Sequence, residues 1–212
     1  MREDAAPFTP NPVLGGLFGL GPLAVAARSL PEGLLLGLGA AFCSLALGLA
    51  VPPLRRQLPE RFRASASLIL ATAFAILYGQ LVEAYFPVSA EGLGIYLPLL
   101  AVNCLSLQAI RLGARQGPCP SGPAAEAPIR YGIIARGAGG YLAVAILLGA
   151  LRELLGLGSL SLPGLGPNRL ILLLSEEPPL RLVAAPAGGF ILLGLMVALY
   201  RAALRARGRR IV

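Results

Sequence analysis

Residues 34–51 read LLLGLGAAFCSLALGLAV, and between Leu34 and Val51 there is not one charged side chain. A helix of ~20 such residues crosses the hydrocarbon core of a bilayer, and the run is close to that length. Pro52-Pro53 follow at once. They are expected to close the helix, because proline lacks an amide hydrogen and its ring clashes with the preceding turn. Arg55 and Arg56 then mark the membrane boundary.

Reading outward from this stretch finds five further runs. The first is Asn11 to Ala27, opened by Asn11-Pro12 as helix cap and first-turn proline and interrupted by Gly21-Pro22. The others are Ala64 to Ala84, Leu93 to Ile110 broken by Pro98, Tyr131 to Leu151, and Leu182 to Tyr200. The expected fold is an all-α membrane protein with six transmembrane helices over 11–27, 34–51, 64–84, 93–110, 131–151 and 182–200, in one integral membrane domain covering 1–212. Gln116 to Pro128, rich in Pro, Gly, Ser and Ala, reads as a flexible connection. Arg152 to Arg181 reads as a loop whose apolar stretch, Leu170 to Leu174, is too short to span and lies at the interface.

Composition agrees. The chain is 56% hydrophobic and 13% charged, against ~45–50% and ~25% for a soluble domain. The missing polar surface must face lipid, and little of the chain remains for a soluble catalytic domain. There is no histidine, which excludes histidine-ligated haem or zinc and a Ser-His-Asp triad. The three cysteines, Cys43, Cys104 and Cys119, are an odd and scattered set, not a disulfide framework. Met1 to Pro10 is polar, with Glu3 and Asp4, and does not read as a cleavable signal peptide.

The net charge of +8 comes from 18 arginines and no lysine. They lie between and after the apolar runs, so they set topology and do not form a nucleic-acid-binding face. With the amino end placed inside, 13 arginines fall on the inner segments and 4 on the outer ones, Arg28, Arg152, Arg169 and Arg181, with Arg136 left inside a span. Both termini are therefore expected in the cytoplasm, in the cytoplasmic (inner) membrane of the cell. Gly21-Pro22-Leu23-Ala24-Val25 in the first run echoes Leu97-Pro98-Leu99-Leu100-Ala101-Val102 in the fourth. Three spans per half put the halves in opposite orientations, an inverted three-plus-three repeat with broken first and fourth helices, the arrangement that holds ion sites near the midplane of transporters. The alternative is that these prolines only kink ordinary spans.

Few residues are able to carry chemistry. Cys104, just past Pro98, is either an iron ligand or a small buried hydrophobe, and so is Cys43 in the second run. Arg136 within the fifth run is either an interior charge on an ion path or an end residue snorkelling beside Arg130. Glu83, near the end of the third run, is either a charge on an ion path or an interfacial one, solvated or paired between loops. Arg152-Glu153 reads as an interfacial pair, either solvated boundary charges or an ion pair between loops, and Gly137, Gly139 and Gly140 as small residues for close helix packing.

Several stretches together resemble the Rnf/Nqr membrane subunits. They are Asn11-Pro12-Val13-Leu14, Gly19 to Val25, Leu58-Pro59-Glu60-Arg61-Phe62-Arg63, Ala84-Tyr85-Phe86-Pro87, and the distinctive Leu93 to Leu99 with Asn103-Cys104. Leu148 to Gly156 and Ala185 to Ile191 resemble the E-type branch of that family. The resemblance implies a six-helix inverted-repeat subunit paired with a homologous sister subunit of opposite orientation, among other Rnf/Nqr subunits. It implies a [2Fe-2S] cluster shared by the pair, one cysteine coming from each broken helix. It implies a place in a translocase-type oxidoreductase complex that moves electrons together with Na+ or H+, with no complete active site in this chain alone. Cys104 matches one cluster cysteine. Gly21 stands where the other is expected, and Cys43 is the one other intramembrane thiol able to substitute for it. A permease without redox chemistry, or a structural membrane subunit, is the alternative on the same framework.

Overall fold

The computed structural model describes residues 20–114, 123–162, 170–173 and 181–206. Most of the first apolar run, residues 11–19, lies outside them, as do Cys119 and the last arginines from Arg207 onward. What is described of the first run is a seven-residue helix, α1 (Leu20–Ala26). Then come α2 (Leu30–Gln57), α3 (Glu60–Tyr85), α4 (Pro87–Leu93), α5 (Tyr96–Leu99), a 3-10 turn (Leu100–Val102), α6 (Cys104–Ala114), α7 (Pro123–Leu157), strands β1 (Ser159–Leu162) and β2 (Leu170–Leu173), α8 (Arg181–Ala184) and α9 (Pro186–Ala206).

Among the described residues four helices are long and apolar enough to cross a membrane, and a fifth span results if the pair bent by 69° around Gly94 counts as one. The chain is a multi-pass membrane protein. Its outward surface agrees: Ile69 and Ile76 on α3 and Phe190, Ile191, Leu195 and Leu199 on α9 are exposed. Large side chains of this kind on successive turns suit hydrocarbon or another apolar surface.

α2 is the axis of the bundle. It packs on α7, α6 and α3, and 56% of its apolar window is buried, against 28% for α3 and α9. Glycine makes the α2–α7 contact possible. A Cβ on Gly37 would sit 3.0 Å from the Leu142 Cα, and one on Gly33 would collide with the Ala145 carbonyl. Small residues let helix backbones approach where no hydrophobic effect drives association in lipid. Across the α2–α3 contact, Phe42 stacks on Tyr78 at 5.8 Å between ring centroids. The Tyr78 hydroxyl donates to the Leu35 carbonyl at 2.6 Å.

Several expectations are corrected here. Pro52-Pro53 do not close the second helix, which continues to Gln57. The two missing amide hydrogens fall at its polar end, beside Arg55 and Arg56, where unmet carbonyls cost least. The fourth run breaks not at Pro98 but at Gly94, which takes φ 41°, and again at Asn103. Pro98 lies in the first turn of α5, where a helix has no use for its amide hydrogen. The fifth helix runs past Leu151 to Leu157. Gly158, with φ 65°, then turns the chain into an antiparallel hairpin in which Ser159 pairs with Leu173 and Leu162 with Leu170. Leu170 to Leu173 is therefore a strand and not part of a loop. The Ser-Leu-Ser-Leu alternation of β1 has the period of two that belongs to a half-buried strand.

Candidate functional site

Two features of the fold gather polar groups inside an otherwise apolar bundle. The first is the broken fourth span. α4 ends at Leu93, the chain bends by 69° around Gly94, and α5 with the 3-10 turn carries it to Asn103, whose extended backbone (ψ 144°) precedes α6. The Ser106 hydroxyl donates to the Leu100 carbonyl at 2.8 Å, meeting one of the groups that the break frees. Asn103 is 3% exposed, and neither its amide nitrogen nor its amide oxygen has a hydrogen-bond partner among the described residues. A buried amide left in this way is costly, by ~1–3 kcal/mol for each unmet group.

A cavity of about 380 Å³ lies between α3 and the bent pair, lined among others by Gln80, Glu83, Glu91, Gly94 and Pro98. It brings Glu83, singled out in the sequence, together with Glu91, which sequence reasoning passed over. The signal was present: two carboxylates on either side of the Phe86-Pro87 turn, which folds α4 back along the end of α3. Both are exposed, so this is a polar recess on the flank of the bundle.

The second feature is a buried charged junction. Arg152 is 1% exposed and Glu153 2%, which overturns their reading as a solvated boundary pair. α7 extends beyond the expected end of its span and carries both inward. The Arg152 guanidinium donates to the carbonyls of Ala24 at 2.8 Å, Ala27 at 3.1 Å, Ala185 at 3.0 Å and Val183 at 3.3 Å. Glu153 accepts from the amides of Leu30 at 2.8 Å and Ser161 at 2.6 Å. Glu32, 7% exposed, accepts from the Arg28 amide at 3.2 Å. The signs follow the helix dipoles: carboxylates meet the amino end of α2, and the guanidinium meets the carbonyl ends of α1 and α8.

The remaining candidates separate. Cys43 is fully buried among core side chains of α2 and fills the place of a small hydrophobe. Cys104 is the first residue of α6, and its side chain lies outside those described. Gly21 is exposed at the start of α1, and a Cβ there would meet nothing within 4 Å. The backbone would thus accept a cysteine at 21, but this chain places none there. Arg136 is exposed on the outside of α7 and not in the interior of the chain. Gly139, expected to pack closely, faces open space. Among the described residues no three or more histidine, cysteine, aspartate or glutamate side chains converge as metal ligands. With glycine at position 21, the thiols that the apolar runs of this chain carry are Cys43 and Cys104.

The chain is similar to several curated proteins over most of its length. The E subunit of an ion-translocating oxidoreductase complex from Pseudoalteromonas atlantica is 30% identical over 197 residues, covering 89% of this chain and 80% of that one. The E subunit of the Na(+)-translocating ferredoxin:NAD(+) oxidoreductase complex of Acetobacterium woodii is 31% identical over 193 residues, covering 89% of each. The E subunit of the ion-translocating oxidoreductase complex of Salmonella arizonae is 32% identical over 195 residues, covering 89% of this chain and 81% of that one. The family model described as "Rnf-Nqr subunit, membrane protein" matches residues 5–197. That match takes in the bent span, the recess and the charged junction alike, and together with the several apolar spans it places the protein: the chain belongs to the Rnf-Nqr family of membrane subunits.

Proposed function

We propose that this chain is the E-type component of an ion-translocating oxidoreductase complex, working in the membrane where electron transfer is coupled to movement of Na+ or H+. The observation that carries the reading is the alignment with the Acetobacterium woodii protein, which spans 89% of both chains at 31% identity. The fold supports it in kind. Broken helices expose main-chain carbonyls and amides inside a bilayer, and such breaks are tolerated where protein or a bound ion meets those groups. The recess beside the Gly94 break carries Glu83 and Glu91, carboxylates able to face a cation. An iron–sulfur cluster, where one is bound, passes single electrons. Cys104 is the thiol this chain would bring to one shared with a homologous sister subunit.

The full chain, tagged and purified from its native membrane, is expected to bring the other subunits of the complex with it. Recovery of the chain alone, from membranes that retain the activity, would overturn the reading. The same preparation carries the test of Cys104. The paramagnetic spectrum of the reduced complex should lose a signal on Cys104→Ala, and identical spectra would remove Cys104 as a ligand.

We further propose six spans in the inner membrane, arranged as an inverted repeat, with both termini cytoplasmic. The arginine asymmetry of 13 to 4 supports this orientation. Reporter fusions after Arg63, at Gln116 and at Val212 should read as cytoplasmic, and fusions at Glu91 and Gly164 as external. A carboxyl terminus on the outer side would sink the arrangement.

A further inference from the structure

Arg152 is the largest fully buried side chain among the described residues. Its five described hydrogen bonds all end on main-chain carbonyl oxygens, those of Ala24, Val25 and Ala27 at the end of α1 and those of Val183 and Ala185 at the break between α8 and α9. The last carbonyls of a helix have no partner within it and carry the negative end of its dipole. In hydrocarbon they must be met by protein. The end of α1 and the break between α8 and α9 are therefore held by what meets those carbonyls.

The local sequence makes room for the guanidinium. A Cβ at Gly189 would stand 3.1 Å from the Arg152 Nη1 and collide with the Ala24 carbonyl, and one at Gly188 would collide with the backbone of Leu182 and Val183. A larger residue at 189 would push α9 off α1 and off the arginine, and one at 188 would push α9 off α8. The shape of the site also selects its occupant. The oxygens come from two segments far apart in sequence and are reached from three different nitrogens. A planar fork with five N–H donors spans such a set, whereas a compact ammonium or alkali cation does not.

We propose that the carbonyls of Ala24, Ala27, Val183 and Ala185 form a cation site shaped for a planar guanidinium, and that Arg152 is its built-in occupant. Occupancy fixes the first helix against the break in the last span. Arg152 is thus a positioning residue: it locks the end of α1 to the break before α9. The site is made of backbone oxygens, so removal of the side chain leaves them present to re-form around the same ion supplied from solution.

The test is chemical rescue in the full chain within its complex. Arg152→Ala should lower the folded protein recovered from membranes roughly tenfold, and low-millimolar guanidinium chloride during purification should restore more than half of it. Sodium chloride or methylammonium at the same concentration should restore none, and the wild type should not respond. Arg152→Lys should resemble Arg152→Ala. Equal behaviour of guanidinium and sodium, or a lysine variant matching the wild type, overturns the proposal. Gly189→Ala supplies a second reading for the case in which Arg152→Ala does not accumulate at all. Hydrogen exchange across residues 20–28 should speed up about tenfold, the scale of a loss of ~1.4 kcal/mol in local stability. Exchange at Ser161, which Glu153 holds, should not change. Unaltered exchange across residues 20–28 would overturn the lock.

Discussion

Gly149→Val should nearly empty the membrane of folded protein, while Gly139→Ala on the same helix should leave it unchanged or slightly more stable. A Cβ at position 149 would lie 2.6 Å from the Ser29 carbonyl oxygen, 3.1 Å from its carbon and 3.4 Å from the Leu30 Cα. These are backbone atoms at the head of α2, and they cannot swing aside as a side-chain end could. Valine therefore forces α7 away from α2. Overpacking of a tight interior typically costs ~1–3 kcal/mol, and the upper end applies where the neighbour is backbone. The retreat also stretches the 2.8 Å bond from the Leu30 amide to Glu153, whose side chain lies just beyond the contact. Gly139 has nothing within 4 Å, so alanine there gains helix propensity of ~0.5–1 kcal/mol with no clash. Quantifying folded protein in membranes by size exclusion of the tagged chain checks both. Wild-type levels of Gly149→Val would mean that the two helices do not cross at this glycine.

Glu153→Ala should be the most damaging removal of a carboxylate among the described residues. One oxygen accepts from Leu30 at 2.8 Å and the other from Ser161 at 2.6 Å. Alanine leaves both amides without an acceptor at a place where the carboxylate was 2% exposed. Each orphaned buried donor costs ~1–3 kcal/mol, so the two together come to about 2–6 kcal/mol. The loss also takes a negative charge from the amino end of α2, worth up to ~2 kcal/mol in a partly buried setting. Glu153→Gln keeps the shape and one acceptor and should fall between alanine and wild type. Thermal unfolding of the purified complex reads the series. Equal midpoints for all three would return Glu153 to the solvent-facing role its place at the end of an apolar run suggested.

These two residues show where local pattern and tertiary context part. Arg152-Glu153 follows immediately on an apolar run, and a charged pair in that place ordinarily marks the membrane surface. Nothing nearby in sequence reveals that Ala24, Ala27, Val183 and Ala185 converge on it, because those partners lie 31 to 128 residues away. Cys43 shows the same limit. Its place within an apolar run allowed either ligand or core, and only the fold shows that it is completely buried among core side chains. Glu83 was legible as a charge near a span end. Its companion Glu91 and the recess they share needed the 69° bend at Gly94 to exist.

The sequence by itself determined that the chain lives in a membrane, how its apolar runs alternate with arginines, and which family it resembles. Length, apolarity and charge are properties that a bilayer reads directly from the chain, with no reference to distant residues. It also showed that a second thiolate at position 21 is absent, since residue identity needs no fold. The tertiary structure alone decided that the fourth span turns at Gly94 and not at Pro98. It decided too that the fifth helix runs on into a hairpin, and that a buried arginine joins the end of α1 to the break before α9. In each case the outcome depends on backbone groups that must find partners away from water, and those partners are chosen by packing between segments that are far apart along the chain.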